Sequence, residues 1–224
     1  MQLSERLQEV SAMVRPCECI CDIGTDHAYI PIDLITRGVA ARAIASDINK
    51  GPCKRAEENI AKHGLQEKIQ VRLGGGFKTI DKSECTSAVM AGIGGHMMID
   101  IFQESQIPKS LEQIVIQPQN VPHKVRKYLY QNGYEIENEK IVADEKHFYT
   151  IMSIKFTGKI VEREKIEFFI NEKLITNKDK NLALYLDKEI ERIKRILIKV
   201  KSEEHIWLLE EYIKIKEKVI NEES

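Results

Sequence analysis

Three observations in this chain predict an α/β protein with a mostly parallel sheet and a separate helical tail. Short apolar runs alternate with helical patterns through residues 1–157. Four of the first five runs end in glycine-rich or amide-rich turns. After Gly158 there is no further glycine or proline, and Lys, Glu, Ile and Leu dominate to the end. Strand and helix in alternation call for a parallel sheet, whose strands are buried on both faces and read as continuous apolar runs.

The elements follow in order. Leu3, Leu7, Val10 and Val14 share one stripe, which predicts an amphipathic helix over 3–14, ended by Pro16. The first strand runs to Asp22, and a helix from Tyr29 to Arg37 closes at Gly38. The second strand is Ala43–Asp47, and Gly51-Pro52 opens a helix through His63 whose outer side carries Lys50, Lys54, Arg55 and Lys62. The third strand, Ile69–Leu73, ends in Gly74-Gly75-Gly76, and the fourth, Ala88–Ala91, ends in Gly92-Ile93-Gly94-Gly95. The fifth, Ile114–Ile116, ends in Gln117-Pro118-Gln119-Asn120. A helix over 121–132 and a β-hairpin, 134–142 with 147–156 around Ala143-Asp144-Glu145-Lys146, close the sheet with antiparallel strands.

The tail reads as a short helix, Val161–Leu174, and then two long helices joined at Ser202, which suits an N-cap. The expected seam is Leu182, Leu186, Ile190, Ile193, Leu197 and Val200 against Ile206, Leu209, Ile213 and Val219 or Ile220. Residues 159–224 hold 15 basic and 15 acidic side chains, so the hairpin adds length rather than charge and should be largely self-supporting. The expected division is 1–157 and 158–224.

Composition narrows the function. The chain has 224 residues, 31% charged, with a formal net charge of −1, so no global field draws nucleic acid and any such contact rests on local groups. No apolar stretch nears the ~20 residues of a membrane span, and the N-terminus lacks a signal-peptide apolar region, so a cytoplasmic location is expected. Cys17, Cys19 and Cys21 alternate along the first strand and would share one face. At roughly 6.6–7 Å apart they are too spread for one tetrahedral ion, so they read as buried apolar residues, with no metal expected.

The turn after the first strand is Asp22-Ile23-Gly24-Thr25-Asp26-His27-Ala28-Tyr29. Gly24 permits a sharp turn close to a ligand. A dinucleotide site repeats glycine where this chain has Asp26 and Ala28, and a carboxylate there repels phosphate. The ligand is therefore cationic or zwitterionic, which points to S-adenosylmethionine. Asp47 ends the second strand 25 residues after Asp22, near the spacing at which nucleoside-binding folds offer an acid to a ribose. The same acids would also suit capping of the helices that follow.

The segments Asp22–Pro31, Asn49-Lys50-Gly51-Pro52, Ala91–Gly95 and Gln117–Asn120, in this order, resemble the bacterial TrmK family, tRNA methyltransferases that act on N1 of adenine 22. The resemblance spans residues 1–157, and the helical hairpin fits it. It implies a class I S-adenosylmethionine-dependent fold, Rossmann-like, with a mostly parallel seven-stranded sheet and a C-terminal coiled-coil hairpin. In that fold Asp22 and Gly24 line the methionine part of the cofactor and Asp47 holds its ribose. Gly74, Gly75 and Gly76 border the adenine, and Gly92 lies under the sulfonium. Asp26, His27, Ile48 and Asn49 complete the expected cofactor set. The family usually places an acid where this chain has Gly75, so either the cofactor is expected to bind less tightly or Asp81 or a backbone carbonyl takes over the adenine contact.

Adenine N1 carries its own lone pair, so positioning matters more than a strong base. Asp26 is the candidate to accept from the exocyclic amine as the ring turns cationic, with His27 beside it and Asn120 holding the base edge. Tyr29 would border or stack on the base. Arg6, Lys54, Arg55, Gln117 and Pro118 complete the expected substrate surface, and Lys50, Arg72, Lys124, Arg126 and Lys127 are further groups for phosphates. The expected partner is tRNA, met by a monomer or weak dimer. Two alternatives stay open: an S-adenosylmethionine enzyme with another substrate, and a non-catalytic scaffold whose hairpin binds a partner.

Overall fold

The computed structural model describes residues 3–144 and 147–223; the hairpin-turn residues Glu145 and Lys146 lie outside the described residues. The chain runs α1 (Glu5–Met13), β1 (Cys17–Ile23), α2 (Tyr29–Thr36), β2 (Ala40–Asp47), α3 (Lys50–Lys62), β3 (Ile69–Leu73) and β4 (Ser87–Ile93). It continues with α4 (Gly95–Glu104), β5 (Gln113–Pro118), α5 (Pro122–Gln131), β6 (Tyr134–Asp144), β7 (His147–Phe156), α6 (Glu172–Thr176), α7 (Leu182–Lys199) and α8 (Glu203–Glu223). The strands form one seven-stranded sheet in the order β3-β2-β1-β4-β5-β7-β6. β1 to β5 are mutually parallel, and β7 and β6 add antiparallel to β5 and to each other.

Alternation along each strand splits the core into two layers. Cys19, Cys21, Met90, Ile114 and Ile116 face α4 and α5, where Met98, Phe102, Val125 and Leu129 meet them. Ile20, Val89 and Val115 face the other way, toward α1, α2 and α3. Both faces are thus covered, as a parallel sheet requires. Cys17 packs on that second layer rather than sharing the face of Cys19 and Cys21. All five cysteines are free, and among the described residues no group of three His, Cys, Asp or Glu could hold a metal. Among the described residues no helix is long and apolar enough to cross a membrane.

The helix α4 was not anticipated from the sequence. Its N-cap is Gly94, with no capping side chain, and it follows a glycine run that reads as loop. Conversely, the continuous helix expected over 161–174 is broken into a 3-10 turn, Lys165–Phe168, and the five-residue α6. The cause is local competition. Asn171 Nδ2 donates to the Tyr130 hydroxyl at 2.8 Å and its Oδ1 accepts from Lys173 N, while the carbonyls of Phe168 and Phe169 accept from Arg126 at 3.0 and 2.9 Å.

The helices α7 and α8 form the expected hairpin, tied near its open end by Lys216 and Asp187, with Ser202 Oγ accepting from His205 N at 3.3 Å. Leu182, Leu186, Ile190 and Ile193 form the α7 stripe as expected and Leu197 packs beside them, but Val200 is the C-cap residue and is exposed. The α8 stripe holds in part: Val219 is buried and Leu209 packs on the core as expected, but Leu208 and Tyr212 are buried where Ile206 and Ile213 were expected, and those two are exposed. Tyr212 supplies apolar ring area at the right step, so a register that skips aliphatic residues wins. This third core also takes in Ile141 of β6 and packs against Phe148 of β7, so the tail does not hold its core by itself.

Arg126 makes the same connection through charge. The guanidinium is 1% exposed and the Glu139 carboxylate 0%, with Nε to Oε1 at 2.9 Å. Arg126 therefore binds no phosphate; it spans α5, β6 and the start of the tail. Breaking a buried pair by removing one partner costs roughly 3–5 kcal/mol, because the remaining charge is stranded. We predict a loss of that size in urea denaturation of Glu139→Gln. A chain ending near Gly158 loses the Phe168 and Phe169 carbonyls and is expected to melt earlier than the whole protein.

Candidate active site

The carboxyl ends of β1 to β5 lie along one edge, and the chain order reverses between β1 and β4. Ligands bind at such a reversal. At ~4.8 Å per strand, the edge from β2 to β5 spans about 14 Å.

At the centre of the edge lies Asp22, 4% exposed, with no lysine, arginine or histidine pairing with it among the described residues. Burial, with the nearby negative Asp47 adding to it, pushes its carboxyl up to about 6. The buried Thr25 hydroxyl lies beside the Asp22 carboxylate and partly offsets this rise, without completing a well-formed hydrogen bond to any group among the described residues. Gly24 turns the chain at φ +78°, and the N–H groups of Gly24 and Thr25 both donate to the Ser46 carbonyl, at 2.8 and 3.0 Å. That link ties the turn after β1 to the end of β2.

Asp26 and Ala28 both adopt the left-handed backbone region, at φ 43° and 56°. The strain turns the Asp26 side chain outward, where Arg55 of α3 donates to its Oδ1. Its Oδ2 lies 3.4 Å from His27 Nε2. The His27 ring stacks on Tyr29 with centroids 4.9 Å apart and planes within 8°. Asp26, His27, Tyr29 and Arg55 therefore form one group, in which Arg55 holds one oxygen of the exposed Asp26 carboxylate.

On the β2 side, Asp47 Oδ1 accepts from Asn49 N at 2.8 Å, and its carbonyl accepts from Gly74 N at 2.8 Å. Ile48 is 71% exposed and overlies Gly75: a Cβ there would sit 3.2 Å from Ile48 Cδ1. A Cβ on Gly74 would collide with the Thr79 methyl, and Gly76 turns toward Ile101. The position expected to carry an acid is thus roofed by an apolar side chain. Asp81 is exposed, its N–H donating to Glu84 at 2.7 Å. Arg72 is also committed to Glu84, at 2.7 Å, and is not available to a phosphate. Lys54 is exposed on α3.

On the β4 and β5 side the ladder slips between Ala91 and Ile93, and Gly92 fills the bulge at φ +75°. Bulges of this kind re-aim backbone groups beside active sites. Gly92 N donates to Gln117 Oε1 at 3.0 Å, and Arg6 donates to the same oxygen at 2.5 Å. Gln117 is fully buried, so it supports Arg6 and Gly92 rather than meeting a substrate. Pro118 is buried in β5. The Arg6 guanidinium lies 5.4 Å over the Tyr149 ring, a residue the sequence did not mark because it sits mid-strand in an apolar run. Asn120 Oδ1 accepts from Gly95 N at 3.0 Å, so its amide presents a donor outward. A Cβ on Gly95 would lie 2.6 Å from the Asn120 carbonyl oxygen, so only glycine lets α4 start against this loop. No hydrogen bond joins Asn120 to the Asp26 group among the described residues.

A buried carboxylate without a cation, with the Thr25 hydroxyl beside it and a second acid one strand away, suits a ligand with an amine, a sulfonium and ribose hydroxyls. Asp22 and Thr25 would hold the cationic methionine end of S-adenosylmethionine, and Asp47 its ribose.

Residues 3–152 match the family model described as a methyltransferase domain. The chain is 31% identical over 153 residues to the Bacillus subtilis tRNA (adenine(22)-N(1))-methyltransferase, covering 68% of this chain and 64% of that protein's length. A Streptococcus pneumoniae protein, Sp1610, solved in complex with S-adenosyl-L-methionine, superposes with a TM-score of 0.85 at 28% identity, over 97% of this chain and 99% of that one. Mycoplasma capricolum TrmK, solved with S-adenosyl-homocysteine, superposes with a TM-score of 0.82 at 25% identity, over 98% of each chain. Fold and edge together define a Rossmann-like methyltransferase of the S-adenosylmethionine class. The chain belongs to the methyltransferase-domain family and, within it, to the TrmK family.

Asp22 sets a pH dependence. Its folded pKa of about 6 exceeds the ordinary 3.8, so between these values the folded state holds more protons than the unfolded state. Its contribution is therefore present below about pH 4 and lost as pH rises through 6, a difference on the order of 3 kcal/mol at neutral pH. Asp22→Asn is expected to raise the melting temperature at pH 8, with little change at pH 4, while removing cofactor binding. Thermal melts at the two pH values check the first outcome and calorimetry the second.

Proposed function

We propose that the protein transfers a methyl group from S-adenosylmethionine to N1 of adenine 22 in tRNA, acting in the cytoplasm. The observation that carries the reading is Asp22, buried and without a cation, beside Asp47 at the chain reversal, with Asp26 where a phosphate-binding turn would carry glycine. The Bacillus subtilis relative carries this activity in its name, which supports the choice of substrate.

S-adenosylmethionine, when bound, supplies a methyl group already activated on sulfur. The protein's part is to hold and orient. Asp22, Thr25 and the Gly24 turn take the methionine end, Asp47 the ribose, and Ile48 covers the adenine side in place of an acid at position 75. The base enters from the β4 and β5 side, where Asn120 offers a donor to a ring nitrogen other than N1. With its Oδ1 already accepting from Gly95, Asn120 turns its amide N–H outward. The acceptor for the exocyclic amine is Asp26 Oδ2, the carboxylate oxygen that Arg55 leaves free. N1 methylation leaves the adenine ring cationic, and a carboxylate fixed in advance stabilises that charge without reorganising. Tyr29, stiffened by its stack on His27, borders the base. Lys54 and Arg6 face the RNA backbone. Extruding the adenine costs a few kcal/mol, which favours a weakly paired position.

Mass spectrometry of tRNA incubated with the protein and S-adenosylmethionine is expected to show one N1-methyladenosine, at position 22. Asp47→Ala should weaken cofactor binding tenfold or more, as expected for a charge-assisted hydrogen bond of ~1.5–3 kcal/mol. Asp26→Asn should slow single-turnover transfer more than it weakens tRNA binding. A rate within twofold of wild type removes Asp26 from the transition state.

A further inference from the structure

Beside this edge lies a cleft of about 800 Å³ between α5, β7 and the hairpin. It reaches the edge at Pro118 and Gln119, and Tyr149 lines it while carrying Arg6 on its ring. Volumes of this size hold small-molecule groups rather than solvent alone.

Two features of its wall are unusual together. The first is a column of rings. Trp207 meets Phe169 edge-on at 6.0 Å, and Phe169 stacks on His123 at 5.1 Å with planes within 7°. His123 opens α5 and ends the column inside the cleft. Burial, with Arg126, Lys124 and Arg192 nearby, lowers the His123 pKa, so the ring stacks uncharged at neutral pH.

The second is charge. Of the cations that line the cleft, Arg192 is taken by Glu189 at 2.7 Å, Lys165 pairs with Glu204 at 3.5 Å, and Arg126 is spent on Glu139. Lys124 and Lys127, both exposed, pair with no carboxylate among the described residues: Lys124 meets His96 at 3.4 Å and Lys127 lies over Phe168 at 5.9 Å. An uncharged ring face beside two uncompensated ammonium groups is the pattern by which proteins hold an unstacked nucleotide, base on ring and phosphate on lysine.

We infer that this cleft is a second nucleotide subsite, which takes an unpaired nucleotide of the same RNA whose adenine enters the active site, stacking its base on His123 and its phosphate on Lys124 and Lys127. The inference rests on the tRNA reading above. It gives the tail a definite role, since Phe169 and Trp207 back the ring that receives the base. With the subsite adjoining the edge at Pro118 and Gln119, holding a neighbouring nucleotide there would keep the target adenine out of its stack.

The test uses the full chain and a full-length tRNA transcript, with binding measured at two salt concentrations and S-adenosylmethionine affinity measured by calorimetry. His123→Ala is expected to weaken tRNA binding about tenfold, the scale of one lost base stack, and His123→Phe to stay within threefold of wild type. Lys127→Ala should weaken binding and flatten the slope of log affinity against log salt by about 0.7, one phosphate contact on single-stranded RNA. Cofactor affinity should be unchanged in all three. Folded His123→Ala that binds tRNA within twofold of wild type overturns the subsite, as does an unchanged salt slope in Lys127→Ala. If His123→Ala fails to fold, His123→Phe and Lys127→Ala decide. Wild-type protein that neither binds nor methylates tRNA overturns the functional reading as well, and the unmutated chain alone reveals that failure.

Discussion

The buried pair of Arg126 and Glu139 fixes how the sheet, α5 and the tail sit together. Two ions with almost no exposure persist only where every remaining donor finds an acceptor. Here Glu139 takes Nε and one terminal nitrogen, and the carbonyls of Phe168 and Phe169 take the other. The backbone of the tail is thus a partner to a charge on the catalytic domain. α5 starts directly after the Gln117–Asn120 loop, so the same pair steadies Asn120 on one side and the ring column of Phe169 and His123 on the other.

The cofactor end follows a different logic. There a charge is buried without a partner, and the fold bears the cost through its other contacts. Local strain accompanies it, in the left-handed angles of Asp26 and Ala28. Such features gather at functional sites because the surrounding structure over-determines them. Three devices in sequence, a sharp turn, a tied strand end and a bulge, carry the edge from Gly24 through Ser46 to Gly92.

Much of this was legible in the sequence because the signals were local. Strand ends, glycine turns, the spacing of Asp22 and Asp47 and the period of α7 all lie within short windows. What was not legible depended on partners distant in the chain. Arg126 reads as one more base on a helix until Glu139, in a separate strand, is seen to neutralise it. Arg55 reads as a phosphate ligand until the left-handed turn swings Asp26 to meet it. Gln117 reads as a loop amide but is buried as the acceptor for Arg6 and Gly92. Tyr149 and His123 carried no local mark, since a tyrosine in a strand and a histidine in a first helical turn are ordinary. The α8 stripe went partly astray because two registers were equally periodic, and the tail core takes in Leu208 and Tyr212 in place of Ile206 and Ile213.

The neighbours Gly94 and Gly95 show how unequal two identical letters can be. A methyl group on Gly94 would rest 3.9 Å from the Asn120 amide, with room to spare. On Gly95 it would meet the Asn120 carbonyl at 2.6 Å and the side chains of Val121 and Val125 at 2.8 and 3.1 Å, and a backbone oxygen cannot step aside as a side-chain tip can. Over evolutionary time, then, the first glycine is free to drift, while the second is frozen for as long as the loop after β5 keeps its course. Substitution at the second would be found only in lineages where that loop had already been rebuilt.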